Sequence, residues 1–163
     1  MGAGLLAVAA AMTACGGAPS DPVARPAPST PAVTPISEAT ASATTDTNVN
    51  AITAAYIEFF NPKTSLTVSM TLLQNGHAFR KTLKTQAKTE FAKATTATVA
   101  TVTMNTRYKA TVVYSILLSG KPVLVDTIGS AVLENGKWKV AGATFCGLRT
   151  AQGTTPKVCT PAA

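Results

Sequence analysis

The sequence predicts an α+β fold in which N-terminal helices pack on a curved, four-stranded antiparallel sheet. Between residues 46 and 88 apolar side chains recur at helical spacing, and from residue 97 onward they alternate with polar ones. The dipeptide Asn135-Gly136 interrupts this alternation and is typical of a two-residue hairpin turn, because both central residues of such a turn need positive φ. Helices and sheet each present one apolar face, and packing these faces together forms a layer of helix on sheet.

Three helices are predicted before the sheet. The first begins near Asp46, where Asp46 or Asn48 can cap it, and ends before Pro62. Two shorter helices follow over residues 65–74 and 78–88. The apolar stripe of the first helix, which we expect to face the sheet, consists of Val49, Ile52, Tyr56, Phe59 and Phe60.

Four strands follow in sequence order as a meander, over residues 97–104, 108–118, 122–134 and 137–146. Trp138 is expected to face the first helix as a core anchor, and Gly129 and Gly142 could mark a bend in the sheet. Pairing outward from the turn sets Glu134 against Lys137, Leu133 against Trp138, Ala131 against Val140 and Gly129 against Gly142.

Residues 1–14 form a short apolar segment followed by Cys15. A bilayer span needs roughly 20 apolar residues, so this segment matches the hydrophobic region of a signal peptide instead. Met12-Thr13-Ala14-Cys15 resembles a bacterial lipobox, and the resemblance implies cleavage before Cys15 and a diacylglycerol on its thiol. The alternative is an ordinary secretory signal with a cysteine nearby by chance.

Residues 15–45 are predicted to be a tether and residues 46–163 the folded domain. Six of the ten prolines lie between residues 18 and 47, among Ala, Ser and Thr. This composition buries too little apolar surface to offset the entropy of ordering the chain. We therefore expect a semi-extended linker, partly in the polyproline II conformation, that lets the domain stand clear of the membrane.

Cys146 and Cys159 are predicted to form a disulfide that pins the C-terminal segment to the end of the last strand. With Cys15 assigned to lipidation, this pair accounts for all three cysteines. A disulfide is typical of an oxidising, extracytoplasmic compartment. The alternative, two free thiols, is unusual for an exported protein.

Candidate catalytic groups are few in this sequence. His77 is the only histidine, and the sequence places no nucleophile or orienting acid beside it. The seven carboxylates are scattered, and only Glu58 and Asp126 come near the predicted interface of helix and sheet. One histidine and scattered carboxylates are a poor basis for a metal site. We therefore expect no catalytic residue, no metal or other cofactor, and no enzymatic activity.

The predicted third helix carries a basic cluster, in a protein of formal net charge +7. The cluster could contact anionic lipid headgroups near the anchor, or an acidic polymer of the cell envelope. The alternative is a solvated helix face. Nucleic acid is not expected as a partner of an exported protein. The members of the cluster are Arg80, Lys81, Lys84 and Lys88, with Lys93 close by.

Several short motifs of the domain resemble a known family. In chain order the motifs are FFN, LLQNG, LLSGKP, NGKWKV and TFCGL. In this order they are similar to the C-terminal domain of actinobacterial exported proteins related to the mycobacterial low-molecular-weight secreted antigen, over residues 46–159. The resemblance implies a cone-like fold similar to the nuclear-transport-factor-2 and cystatin-like group, a mycobacterial or related host, and an envelope or secreted location. It implies no activity, because the family has no catalytic motif.

In cone-like folds the space between helix and sheet can be a ligand pocket with apolar walls and a few hydroxyls. The alternative is an ordinary aromatic core whose hydroxyls reach its rim. The candidate pocket-lining residues are Tyr56, Phe60, Tyr108, Tyr114 and Trp138.

The expected function is that of a lipid-anchored envelope protein on the extracytoplasmic face of the plasma membrane, or shed from it. It would serve as a non-enzymatic binding or structural module. The alternative is a carrier that holds a small apolar molecule between helix and sheet.

Overall fold

The computed structural model describes residues 37–160 of the 163-residue chain. Helices precede a four-stranded antiparallel sheet, so the predicted α+β arrangement is confirmed. The predicted signal peptide, Cys15 and the tether as far as residue 36 lie outside the described residues. The elements in chain order are α1 (Ser37–Phe59), α2 (Leu66–Leu72), α3 (Arg80–Gln86), α4 (Glu90–Ala94), β1 (Thr95–Thr106), β2 (Lys109–Leu118), β3 (Lys121–Glu134), β4 (Lys137–Val140), α5 (Gly142–Ala151) and a 3-10 helix (Lys157–Cys159).

Helix α1 begins at Ser37, earlier than the predicted start near Asp46. The sequence has no proline between Pro35 and Pro62, so no residue type that breaks a helix interrupts this stretch. Residues 37–45, predicted to belong to the tether, are therefore helical.

Helix α1 packs its apolar stripe on the inner face of the sheet, as predicted. Asn48 lies inside the helix and does not cap it. Its side-chain Oδ1 accepts a hydrogen bond of 3.0 Å from the indole Nε1 of Trp138, which ties the helix to the sheet. The buried residues on this side are Ile52, Ala55, Tyr56 and Phe59 of α1 and Phe60 directly after it, whereas the predicted Val49 is half-buried.

Helices α2 and α3 are shorter than predicted. Ser65 caps α2, because its Oγ accepts a hydrogen bond of 3.3 Å from the backbone N–H of Val68. Leu73 leaves the helix and forms an isolated parallel bridge with Val140 at the end of β4. This strand-like contact ends α2 before residue 74 and attaches it to the sheet.

The sheet is the predicted meander, with the strand order β1-β2-β3-β4. The register of the hairpin is also confirmed, and Asn135 and Gly136 have φ values of 53° and 71° at the turn. Trp138 is buried as predicted, at 6% exposure. The observed pairs of β3 with β4 are Ala131 with Val140, Val132 with Lys139, Leu133 with Trp138 and Glu134 with Lys137.

The last strand is shorter than predicted, because β4 ends at Val140 and α5 begins at Gly142. Cys146 therefore lies in a helix and not at the end of a strand. The predicted pairing of Gly129 with Gly142 does not form, since Gly129 pairs with Val112 of β2. Helix α4, which spans five residues, was likewise absent from the predicted elements.

Where a longer β4 would have continued to pair with β3, the side chain of Thr144 forms a hydrogen bond with Ser130. The backbone N–H of Ala141 donates to the carbonyl oxygen of Ser130 at 2.9 Å, which is the last ladder-like bond. Beyond it, the Oγ1 of Thr144 accepts a bond of 2.8 Å from the N–H of Ser130. The backbone of Ser130 is thereby satisfied without further strand pairing, and α5 can bury Phe145 and Leu148.

The predicted disulfide between Cys146 and Cys159 is present and joins α5 to the 3-10 helix. It closes a loop with a sequence separation of 13 residues. The chain-entropy account gives about 3 kcal/mol of stabilisation for a loop of this size. The C-terminal segment is thus attached to α5, whose buried face belongs to the core.

Part of β3 forms an irregular edge of the sheet. Within residues 37–160, β4 pairs only with residues 131–134 of β3, so residues 121–128 have β2 on one side and no strand on the other. The pairing with β2 shifts register twice along this segment. Asp126 has a φ of 47°, and its N–H donates to the side-chain Oγ of Ser115 at 3.1 Å.

Gly129→Ala should destabilise the domain. An added Cβ would lie 2.7 Å from the hydroxyl oxygen of Tyr56 and 2.8 Å from both Tyr114 Cε1 and Thr144 Cγ2. Three packed neighbours cannot all move aside, so we expect a loss of about 1–3 kcal/mol in the free energy of unfolding, measured by urea denaturation.

Gly147→Ala is the matched control for this substitution. A Cβ at Gly147, inside α5, meets nothing within 4 Å. Alanine should therefore stabilise this helix by about 0.5–1 kcal/mol. Equal stability of Gly129→Ala and the wild type would show that α1 does not pack closely on β3 at this position.

Candidate functional site

Four of the five candidate pocket-lining residues form the alternative considered above, an aromatic core between helix and sheet. The ring centroids of Tyr56 and Tyr114 are 5.2 Å apart, and Phe60 stacks on Tyr114 at 5.9 Å. All three side chains are buried, and Trp138 is buried beside α1. These four residues lie where the sequence placed them, but they form part of the core.

Tyr108 does not face the interior, contrary to the prediction. It lies in the turn between β1 and β2, one residue before β2 begins, and its side chain is 50% exposed. The guanidinium of Arg107 lies 4.7 Å from the centre of its ring, a cation–π contact at the surface. The inward alternation of β2 begins at Ala110, so the predicted strand was one position too long at this end.

The two buried tyrosine hydroxyls are held in the neutral form. Burial raises the pKa of Tyr56 well above its usual value, while a hydrogen bond with Thr144 opposes this shift and the nearby Tyr114 adds to it. Burial also raises the pKa of Tyr114. The hydroxyl of Tyr56 donates to the carbonyl oxygen of Ser130 at 2.8 Å. The hydroxyl of Tyr56 is thus a structural donor, not a base or nucleophile.

The remaining candidate catalytic groups lie exposed on three different elements. His77 is in the turn between α2 and α3, and Asp126 is at the irregular edge of β3. Glu58 is on α1, and its carboxylate accepts a bond of 2.8 Å from the hydroxyl of Thr64. In the part of the chain that the structure describes, no group of three His, Cys, Asp or Glu residues could hold a metal ion.

A cavity of about 90 Å³ lies away from the predicted pocket, where the end of α1 meets α2, α3 and α4. Of the predicted lining residues, only Phe60 contributes to it. Its volume corresponds to about three water molecules, well below the roughly 300–1,000 Å³ of pockets for drug-sized ligands. Its apolar walls include Phe59, Phe60, Leu66, Leu83 and Phe145, and Gln86 and Lys93 also line it.

The basic cluster forms an exposed surface along α3 and the turn that follows. Leu83 turns the opposite side of α3 into the core, so the cations point to solvent. Within residues 37–160, none of the four is in an ion pair, whereas Lys93 pairs with Glu90 at 2.7 Å. We call this surface the basic face, and its members are Arg80, Lys81, Lys84 and Lys88.

Alkaline pH should destabilise the domain through its buried tyrosines. Folding raises the pKa values of Tyr56 and Tyr114 above 10.0, the ordinary value for tyrosine. Their contribution to the free energy of unfolding is therefore complete below pH 10.0 and is lost as the pH rises above it. Each buried hydroxyl can contribute a slope of at most about 1.4 kcal/mol per pH unit.

Urea denaturation of Tyr114→Phe between pH 8 and pH 11, roughly the range around the ordinary tyrosine value, tests this expectation. The variant should lose less stability than the wild type above pH 10.0. Identical slopes for the two proteins would mean that Tyr114 does not couple folding to pH.

Among the described residues no helix combines the length and apolar character needed to cross a membrane.

Comparison with known proteins identifies the family. The sequence model of the family described as "Low molecular weight antigen MTB12, C-terminal domain" matches residues 44–156. No curated protein matches the chain significantly. The matched residues comprise the helices and strands from the middle of α1 to the segment before the last cysteine, so the chain belongs to the low molecular weight antigen MTB12 C-terminal domain family.

Proposed function

We propose that this protein is a lipid-anchored, non-enzymatic module of the cell envelope whose basic face binds anionic lipid headgroups. The observation that carries the proposal is the basic face itself, four exposed cations on α3 and the turn after it without an ion-pair partner among the described residues. Membership of a secreted-antigen family supports an extracytoplasmic location. The lipobox-like residues that end at Cys15 support a lipid anchor.

The length of chain between the anchor and the domain is compatible with this contact. Twenty-one residues separate Cys15 from Ser37, where α1 begins. A chain of this length spans at most about 75 Å when fully extended. A domain on such a tether stays close to the membrane that holds its lipid, so the basic face can reach the headgroups.

Electrostatics supplies the driving force for this contact. A Lys or Arg near an anionic leaflet contributes about 1 kcal/mol of binding, and the contribution decays within the Debye length. The four members of the basic face act together because they lie within nine residues of sequence. The binding free energy of the domain should therefore add to that of the lipid anchor, and binding should weaken as the salt concentration rises.

The arrangement of the interior supports a module without catalysis. The candidate acids and bases lie exposed on separate elements, and the buried hydroxyl of Tyr56 is committed to Ser130. The carrier alternative required an open space between helix and sheet. The aromatic packing of Tyr56, Phe60 and Tyr114 occupies that space, so no observation there favours a carrier.

Vesicle flotation of the unlipidated full chain, Cys15→Ala, tests the basic face. Vesicles of equal parts phosphatidylcholine and phosphatidylglycerol should bind it at low salt, and pure phosphatidylcholine should not. Replacing Arg80, Lys81, Lys84 and Lys88 by Gln should weaken binding at least about tenfold, because each cation contributes about 1 kcal/mol.

A charge-matched control separates the basic face from net charge. Gln at Lys63, Lys109, Lys121 and Lys157 removes four exposed cations elsewhere on the domain and should weaken binding much less. The proposal fails if both quadruple variants lose vesicle binding equally, or if binding is the same with and without the anionic lipid.

Expression of Cys15→Ala in the native host cells tests the anchor. The variant should leave the membrane fraction for the medium, or remain unprocessed at a higher mass, because it lacks the thiol that carries the lipid. Ser20→Ala, a few residues away, should fractionate like the wild type. Membrane association of Cys15→Ala at the mass of the processed protein would count against lipidation.

A further inference from the structure

The helices pack on one face of the sheet and leave the opposite face uncovered. In the part of the chain that the structure describes, the buried residues of the four strands all lie on the inner face, against which α1 packs. Successive side chains of a strand point to opposite faces, so Val113, between the buried Val112 and Tyr114, points away from the helices. Neither Val113 nor Leu117 packs against the core. The opposite face is therefore a surface of its own, centred on β2.

Apolar side chains on this surface form one contiguous patch. A row crosses three strands, because Val113 pairs with Thr101 on one side and with Ile128 on the other. Exposure is highest on β3, at 75% for Ile128 and 64% for Val125. Contiguous exposed apolar side chains mark an interaction site on a folded protein. We call this surface the outer face, and its members are Thr101, Val113, Leu117, Pro122, Val125 and Ile128.

The middle of the outer face carries no charge. From Thr111 to Leu117 of β2, the side chains that point outward and their partners on β1 and β3 are all uncharged. The first cation along β2 is Lys109, at the end of the strand. Surfaces that bind bilayers typically combine Lys or Arg with Trp, Phe or Leu, and this stretch has no cation and no aromatic side chain on its outer side. The composition therefore favours a protein surface as the partner.

The size of the outer face is compatible with the interface of a small dimer. Strands β2 and β3 have 10 and 14 residues. With a rise of about 3.3 Å per residue and about 4.8 Å between strands, three strands of this length present roughly 500–650 Å² per copy. Two copies packed over this length would bury roughly 1,000–1,300 Å², which reaches the lower limit of about 1,000 Å² for a specific interface.

We propose that the outer face is a homodimer interface, in which the sheets of two copies of this chain pack face to face. A two-fold interface must be complementary to itself, and an uncharged surface of apolar and hydroxyl-bearing side chains meets this condition. A two-fold axis through the row of Val113 sets Lys109 of the two copies at opposite ends, so these cations do not meet. Helix α3 packs on the inner side through Leu83, so the basic face stays free in the dimer. The interface does not depend on the function proposed for the basic face.

Sedimentation equilibrium of the full chain with Cys15→Ala, which prevents lipidation, tests the interface. We expect a reversible equilibrium of monomer and dimer with a dissociation constant of about 10–100 μM, because interfaces near the lower size limit bind weakly. Protein concentrations from about 1 μM to about 1 mM bracket this constant. A protein that is still monomeric at about 1 mM would overturn the proposal.

Three lysine substitutions locate the interface. Ile128→Lys puts a charge into the middle of the outer face and should raise the dissociation constant at least about tenfold, because a buried charge without a partner is costly. Ile128 is 75% exposed in the single copy, so this change leaves the core intact. Thr101→Lys, in the same row on β1, should act in the same way. Ile57→Lys is the matched control on α1, at a residue that is 45% exposed, and should change the constant by less than about twofold.

Two patterns of dimerisation would contradict this assignment. A dimer that is unaffected by both Ile128→Lys and Thr101→Lys uses another surface, and a dimer that Ile57→Lys weakens equally responds to net charge alone. Flotation with vesicles of pure phosphatidylcholine, to which no binding is expected, examines a lipid surface as the occupant. Binding by a monomeric protein that is lost in Ile128→Lys would assign the outer face to lipid and overturn the proposal.

Discussion

A single backbone carbonyl, that of Ser130, is the point at which three elements of this domain are joined by hydrogen bonds. It accepts hydrogen bonds from the hydroxyl of Tyr56 at 2.8 Å, from the N–H of Ala141 at 2.9 Å and from the hydroxyl of Thr144 at 3.3 Å. These donors come from α1, from the junction after β4 and from α5. The residue before it must be glycine, because the side chain of Tyr56 crosses Gly129 to reach this carbonyl. The position of α1 over the sheet therefore depends on a residue without a side chain.

The parts of the fold that local chemistry determines were predictable, and the parts that depend on distant partners were not. The hairpin was predicted down to its register, because the Asn135-Gly136 turn and the alternation around it specify the same pairing. Helix α5 was missed although Ala141, Phe145 and Leu148 have helical spacing, because small residues between them continue the strand pattern. Strand β4 ends where the backbone N–H of Ser130 donates to the side chain of Thr144, and this contact cannot be inferred from the local sequence pattern.

The same distinction separates the basic face from the cavity. The basic face was predictable because its four cations lie close in sequence, and a buried Leu83 suffices to orient them. The cavity was not predictable, since its walls come from five helices that are separated in the sequence. The candidate aromatic pocket is a packed core, and the sequence already offered this alternative. Large rings at alternating positions fill the space that they enclose.

The irregular edge of β3 has a consequence for how copies of the protein behave when crowded together. An exposed, regular strand offers unpaired N–H and C=O groups to which a strand of another molecule can add. Here Pro122 lacks an N–H, and the N–H of Asp126 donates to the side chain of Ser115. Two register shifts also make the spacing of the remaining backbone groups irregular. This part of the sheet edge is therefore a poor template for the addition of a strand from another copy of the protein.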